Sequence, residues 1–153
     1  MALVWIDMQT KKWFDEVRLW IALDLQCTIL DILLWLDGNK LETFPPLIFQ
    51  NLKKLEVLSL SRNELTSVDT LIFDGLENIK SLAIAMNRLR CLKTNSFGNL
   101  TSLLKLDLHG NNIRSIDGRT FSMMSRLESL NLKKNPLKAL KAGSFDELLQ
   151  LKH

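Results

Sequence analysis

The chain has 153 residues, 46% of them apolar and 24% charged, which is enough apolar content for a single domain with a sizeable core. Twenty basic residues against 17 acidic ones leave a formal charge of +3, too small to imply a nucleic-acid partner. The two cysteines, Cys27 and Cys91, cannot build a disulfide framework, and no C-x-x-C or His/Cys cluster has metal-ligand spacing, so no metal and no cofactor are expected.

Residues 1–30 differ in character from the rest of the chain. All four tryptophans, Trp5, Trp13, Trp20 and Trp35, fall in the first 35 residues. Val17 to Leu36 is rich in apolar residues, but Arg18, Asp24 and Asp31 interrupt it, and each charge is expensive in a bilayer, so no transmembrane helix is expected. Residues 1–10 lack the basic start, uninterrupted apolar run and small-residue cleavage site of a clear signal peptide. Trp13, Phe14, Val17, Ile21 and Leu25 can form a helical apolar face, or Ile21, Leu23 and Leu25 the inward side of a strand. Either arrangement makes residues 1–30 a cap over the open end of a repetitive region. A helix lying on a membrane surface is the rival reading, and it has only Lys11, Lys12 and Arg18 for a basic face.

From Asp31 onward one frame is written repeatedly with a period of 24 residues. Leu103, Leu106, Leu108, Asn111, Ile113, Ile116, Phe121 and Met124 show it most clearly. The other copies are anchored by Leu34, Leu36 and Asn39; by Leu58, Leu60 and Asn63; by Leu82, Ile84 and Asn87; and by Leu130, Leu132 and Asn135. The units are 31–54, 55–78, 79–102, 103–126 and 127–150, and Leu151 starts a sixth that is not completed, which leads us to expect a stretch of a longer array. Within each copy the two leucines before the asparagine alternate with other residues, the period of a strand with one buried face. Neighbouring copies then pair these strands in parallel, and the rest of each copy returns over the far side, giving a curved solenoid.

The full pattern, L-x-x-L-x-L-x-x-N-x-L-x-x-L-x-x-x-x-F-x-x-L-x-x, resembles the leucine-rich-repeat family in its 24-residue typical subtype, the one carried by Toll-like receptors, Slit and small leucine-rich proteoglycans. The resemblance implies an α/β right-handed solenoid, a horseshoe arc with a parallel β-sheet on its concave face and loops or short 3-10 or helical turns on its convex face. It implies that Asn39, Asn63, Asn87, Asn111 and Asn135 form an asparagine ladder. Phe49, Phe73, Phe97, Phe121 and Phe145 look like a matching aromatic spine. It also implies an extracellular or cell-surface receptor-type protein, although the cysteine-rich flanks usual in those relatives are not seen here. Any membrane attachment would come through parts absent from this chain.

Between the inward leucines lie residues that face outward on the concave side. Those expected to meet a protein partner are Trp35, Asp37, Ser59, Ser61, Arg62, Ala83, Met86, Lys105, Asp107, His109, Asn131 and Lys133. Trp35 is either an interface anchor or a side chain packed beneath the cap. Five strands about 4.8 Å apart span roughly 19 Å and offer roughly 20 side chains, the lower edge of a standard interface. The partner expected is a protein ligand or receptor, with no nucleic acid and no small-molecule cofactor. A segment that only stacks other parts of a larger or synthetic repeat protein is the alternative. Asp107 and His109 share a strand face without a nucleophile or further carboxylate converging on them, so no enzyme is expected. Cys27 and Cys91 are separated by more than two coils, too far for a bridge unless the cap folds back. Asn99-Leu100-Thr101 matches a glycosylation acceptor in the convex half of its unit.

Overall fold

A computed structural model describes residues 32–152. The expected cap at residues 1–30 lies outside the described residues, as does Cys27.

Five three-residue strands form one parallel sheet: β1 (Leu33–Trp35), β2 (Val57–Ser59), β3 (Ser81–Ala83), β5 (Lys105–Asp107) and β7 (Ser129–Asn131). The register advances by 24 residues per strand, with Leu34 opposite Leu58, Leu58 opposite Leu82, Leu82 opposite Leu106 and Leu106 opposite Leu130. The central leucines of the first four strands are at most 2% exposed, and so are Leu36, Leu60, Ile84 and Leu108 two residues on. Each pair drives its strand into the core, and the residues between the leucines are turned the other way. A one-residue slip would expose the whole set, so the leucines fix the register.

A second parallel sheet, which the repeat pattern did not announce, joins β4 (Cys91–Leu92), β6 (Ser115–Ile116) and β8 (Ala139–Leu140). It pairs Leu92 with Ile116 and Ile116 with Leu140. Each of its strands ends on the second apolar residue after the asparagine turn, buried in β4 and β6 and exposed in β8. Elsewhere among the described residues the convex side consists of turns and one 3-10 helix, Thr70–Ile72, whose first turn is capped by Asp69 Oδ1 accepting from the Leu71 amide at 3.0 Å. No α-helix occurs among the described residues, and none of their helices is long and apolar enough to cross a membrane.

Phe73, Phe97, Phe121 and Phe145 stack in a column with ring centroids 6.1, 6.0 and 5.8 Å apart. Phe49 is buried in the same layer and packs against Phe44 at 5.5 Å. The expected aromatic spine is therefore a physical stack over four coils, and Phe49 turns to a different partner. Packing thins in the last coil. Leu130, Leu132, Leu137 and Phe145 are only partly buried, and Leu140 is 55% exposed. The Lys152 amide nevertheless donates to Glu128 O at 2.9 Å, repeating the bonds that Glu128 makes to Leu104 and Leu104 to Lys80.

Candidate functional site

The asparagines hold the outward-facing surface in place. Asn87 Nδ2 donates to Leu60 O of the preceding coil at 2.9 Å and to Ile84 O of its own at 3.2 Å, while its Oδ1 accepts from the Leu65 amide at 3.0 Å. Asn63, Asn111 and Asn135 repeat this arrangement with Leu36, Ile84 and Leu108 of the coils before them. Asn39 donates to Leu36 O at 3.0 Å. A carboxamide supplies both donors and an acceptor from one planar group, which is what a buried turn with free carbonyls and amides needs. Four of the five are buried and Asn135 is partly exposed.

The residue before each asparagine is left-handed in every coil: Gly38 at φ 71°, Arg62 at 57°, Met86 at 54°, Gly110 at 66° and Lys134 at 56°. This bend turns the chain out of the sheet and delivers the asparagine inward. Only two of the five positions are glycine, so Arg62, Met86 and Lys134 hold a conformation that L-residues enter at a cost. Their side chains are exposed at the rim of the sheet, Met86 by 52%.

Three rows of side chains cross the sheet. One runs Leu33, Val57, Ser81, Lys105, Ser129 and the next Trp35, Ser59, Ala83, Asp107, Asn131. The third, Asp37, Ser61, Ala85, His109, Lys133, is tied by the bonds from Gly38, Arg62, Met86 and Gly110 amides to the carbonyls of Ser61, Ala85, His109 and Lys133. All twelve residues expected to face a partner therefore lie on this side or at its rim, but they are not equally accessible. Ser59, expected to meet a partner, is only 7% exposed, and its hydroxyl donates to Asp37 Oδ1 at 2.6 Å. The same Asp37 oxygen accepts from the Ser61 amide at 2.6 Å, and Ser61 Oγ accepts from the Ala85 amide at 3.2 Å. Asp37 and Ser61 are thus engaged in joining coils. Trp35 is half-buried in β1, a state compatible with either of its two readings.

The opposite end of the sheet is freer. Lys105 and Lys133 are exposed, while Asp107, His109 and Asn131 are partly so. Asp107 Oδ1 accepts from the His109 amide at 2.9 Å, and Asn131 Oδ1 from the Lys133 amide at 3.2 Å. These are local turn bonds. The Asp107 carboxylate thus meets the histidine backbone and no ring contact joins the two. No group of three or more His, Cys, Asp or Glu that could hold a metal ion occurs among the described residues. Cys91 is an exposed free thiol on β4. Asn99 is exposed on the convex side, at the edge of a depression lined also by Gln50, Lys53, Asp74 and Glu77.

A family model described as leucine rich repeat matches residues 33–89, 62–113, 77–137 and 101–153, in overlapping stretches that together run through all five coils. The chain belongs to the leucine-rich-repeat family. No curated protein sequence matches it. Among solved structures, this leucine-rich-repeat chain is similar to Toll in the complex of Toll with Spatzle from Drosophila, at 28% identity and a TM-score of 0.68 over 74% of this chain and 15% of that one. The glycosylated form of that complex gives 30% identity and a TM-score of 0.68, over 77% and 18%. The complex of TLR13 with the single-stranded RNA ssRNA13 gives 30% identity and a TM-score of 0.59, over 76% and 20%. The chain spans one fifth or less of the length of each of these proteins.

Sequence reasoning passed over one set of residues. Arg90, Arg114 and Lys138 occupy a single position of three successive units, all exposed. The signal lies in the 24-residue spacing, which places the three at the same offset after each asparagine.

Proposed function

We propose that this leucine-rich-repeat stretch is a non-enzymatic recognition module that binds a protein partner across the concave sheet, within an extracellular or cell-surface receptor-type protein. The observation that carries this reading is the contrast between the two sets of strand residues. The inward set repeats the same leucines coil after coil, whereas the outward rows run from Trp35 and Val57 through Ser81 and Ala83 to Lys105, Asp107 and Lys133. A surface held rigid by a buried ladder while its side chains change at every coil presents a defined, non-repeating pattern, as selective binding requires. The Toll neighbours, solved in complex with Spatzle, support a protein as the partner. The extracellular setting rests on the subtype resemblance.

The test is to screen the purified chain against a panel of secreted and cell-surface proteins, then repeat the positive interactions with Trp35→Ala, Lys105→Glu and Lys133→Glu. Loss of binding with an unchanged thermal transition supports the concave face. Binding untouched by all three substitutions, or a chain that captures single-stranded RNA in place of any protein, overturns it. A chain that binds nothing behaves as a spacer within an array.

A further inference from the structure

The overall charge of +3 conceals a strong division along the chain. Residues 88–141 carry eleven Lys and Arg against three Asp and Glu, while the other residues carry nine against fourteen. Folding gathers part of this excess into a line. The Arg114 amide donates to Arg90 O at 2.9 Å and the Lys138 amide donates to Arg114 O at 2.9 Å, so these three residues sit at one register position on adjacent coils. Parallel neighbours lie about 4.8 Å apart. All three side chains are exposed, and none has an acidic partner within 4 Å among the described residues. Elsewhere, cations at matching positions of adjacent coils face acids, as in Lys80 with Glu56 at 2.7 Å and Arg88 with Glu64 at 2.8 Å. Here the nearest row beyond the second sheet contains Lys93, Asp117 and Lys141, and its carboxylate is already paired with Lys141 at 2.7 Å. Like charges repeated in line repel one another, an arrangement that gains nothing for the folded chain alone.

We propose that Arg90, Arg114 and Lys138 form a binding strip for a linear sulfated polysaccharide on the flank of the solenoid, separate from the concave sheet. The strip's neighbours decide the class of ligand. Beside it run Cys91, Ser115 and Ala139, paired in register on β4, β6 and β8. This small, uncharged shelf lets a chain lie flat against the cations but offers no large side chain to anchor a protein hot spot. Among the described residues the aromatic rings other than Trp35 and His109, both on the concave sheet, are phenylalanines, buried or packed in the core. Single-stranded nucleic acid normally adds aromatic stacking to a cationic track, and no platform for it exists along this strip. A polymer whose anionic groups recur along one axis, recognised by charge and by the forked guanidinium donors of two arginines, fits what is present.

The experiment measures binding of a fluorescein-labelled heparin oligosaccharide to the whole chain by anisotropy at several salt concentrations. A single-stranded oligonucleotide of equal charge serves as the competing probe. Replacing Arg90, Arg114 and Lys138 together with Gln is expected to weaken heparin binding about tenfold and to flatten its salt dependence. The charge-matched replacement of Lys40, Lys53 and Lys80 with Gln should change it less than about twofold. Equal losses from the two triple variants, or no binding by the original chain, overturn the strip. Tighter binding of the oligonucleotide through the same three residues overturns the polysaccharide assignment. Both variants change exposed side chains only, and matched circular dichroism melts confirm that each is folded.

Discussion

Asn87 donates a hydrogen bond from its side chain to the backbone carbonyl of Leu60, 27 residues earlier, at 2.9 Å. One amide group thereby joins two coils at the turn where each leaves the sheet. Removing it in Asn87→Ala leaves the buried amide of Leu65 without its acceptor and takes one of two side-chain donors from each of the carbonyls of Leu60 and Ile84, which keep Asn63 Nδ2 and Asn111 Nδ2. The expected cost is about 2–3 kcal/mol, near the upper end for unsatisfied buried groups. Asn135 makes the same bonds in a partly exposed coil, where water can replace them, so Asn135→Ala should cost about 1 kcal/mol. Urea unfolding of the two variants measures the difference, and equal losses would show that the ladder's value does not depend on burial.

The phenylalanine stack predicts a second gradient. Phe97 is fully buried between two rings at 6.1 and 6.0 Å, whereas Phe145 has one ring neighbour at 5.8 Å and is partly exposed. Phe97→Ala should destabilise by about 3–5 kcal/mol through lost transfer energy and the cavity left behind. Phe145→Ala should cost about half of that, because solvent already reaches the site. Thermal melts of both variants under identical conditions give the comparison.

Backbone strain at the strand exits predicts substitutions of opposite sign. Lys134 holds φ 56° with an exposed side chain. Lys134→Gly removes the penalty of the left-handed conformation and should stabilise by about 0.5–1 kcal/mol, after the larger chain entropy of glycine is counted. Gly110→Ala, at φ 66° with Met86 Cγ 3.4 Å from the added methyl, should destabilise by about 1 kcal/mol. Gly75→Ala is more severe, since the new carbon would fall 2.6 Å from the Gln50 Cα at φ 88°, and a loss of about 2–4 kcal/mol is expected. Chemical denaturation of the three variants tests the order.

The ion pairs between coils should be nearly silent. Glu56 and Lys80 lie 2.7 Å apart, with side chains 38% and 51% exposed. Lys80→Gln is expected to cost under about 0.5 kcal/mol at physiological salt and nothing measurable at 1 M, because solvent and ions screen exposed charges. A loss above 1 kcal/mol that persists in high salt would show a role beyond charge pairing.

The leucines and asparagines made the main sheet legible in the sequence, since burial of a fixed set every 24 residues leaves one register open to the strands. Leu58, Leu82 and Leu106 sit where the spacing placed them. The second sheet was hidden because its strands are two residues long, with one buried side chain in β4 and in β6, such as Ile116, and none in β8, too little alternation to register as a strand. At the candidate site, spacing identified the side of the sheet that each residue occupies but not its accessibility. Ser59 is withdrawn by Asp37, a residue 22 positions away, and only the stacked coils bring the two together. The left-handed turn at Arg62, Met86 and Lys134 was likewise concealed, since only Gly38 and Gly110 show the residue type that favours it.

The phenylalanine column also sets the shape of the surface opposite. Strands repeat at about 4.8 Å, whereas the rings repeat at 5.8–6.1 Å, so each coil is a wedge, thicker on the ring side. Stacked wedges make an arc, and its radius depends on the difference between these two pitches. A protein seated on the sheet would therefore meet a cradle whose curvature is governed by side chains it never touches. Selection on the buried rings could retune the fit to a partner while every contact residue stays the same.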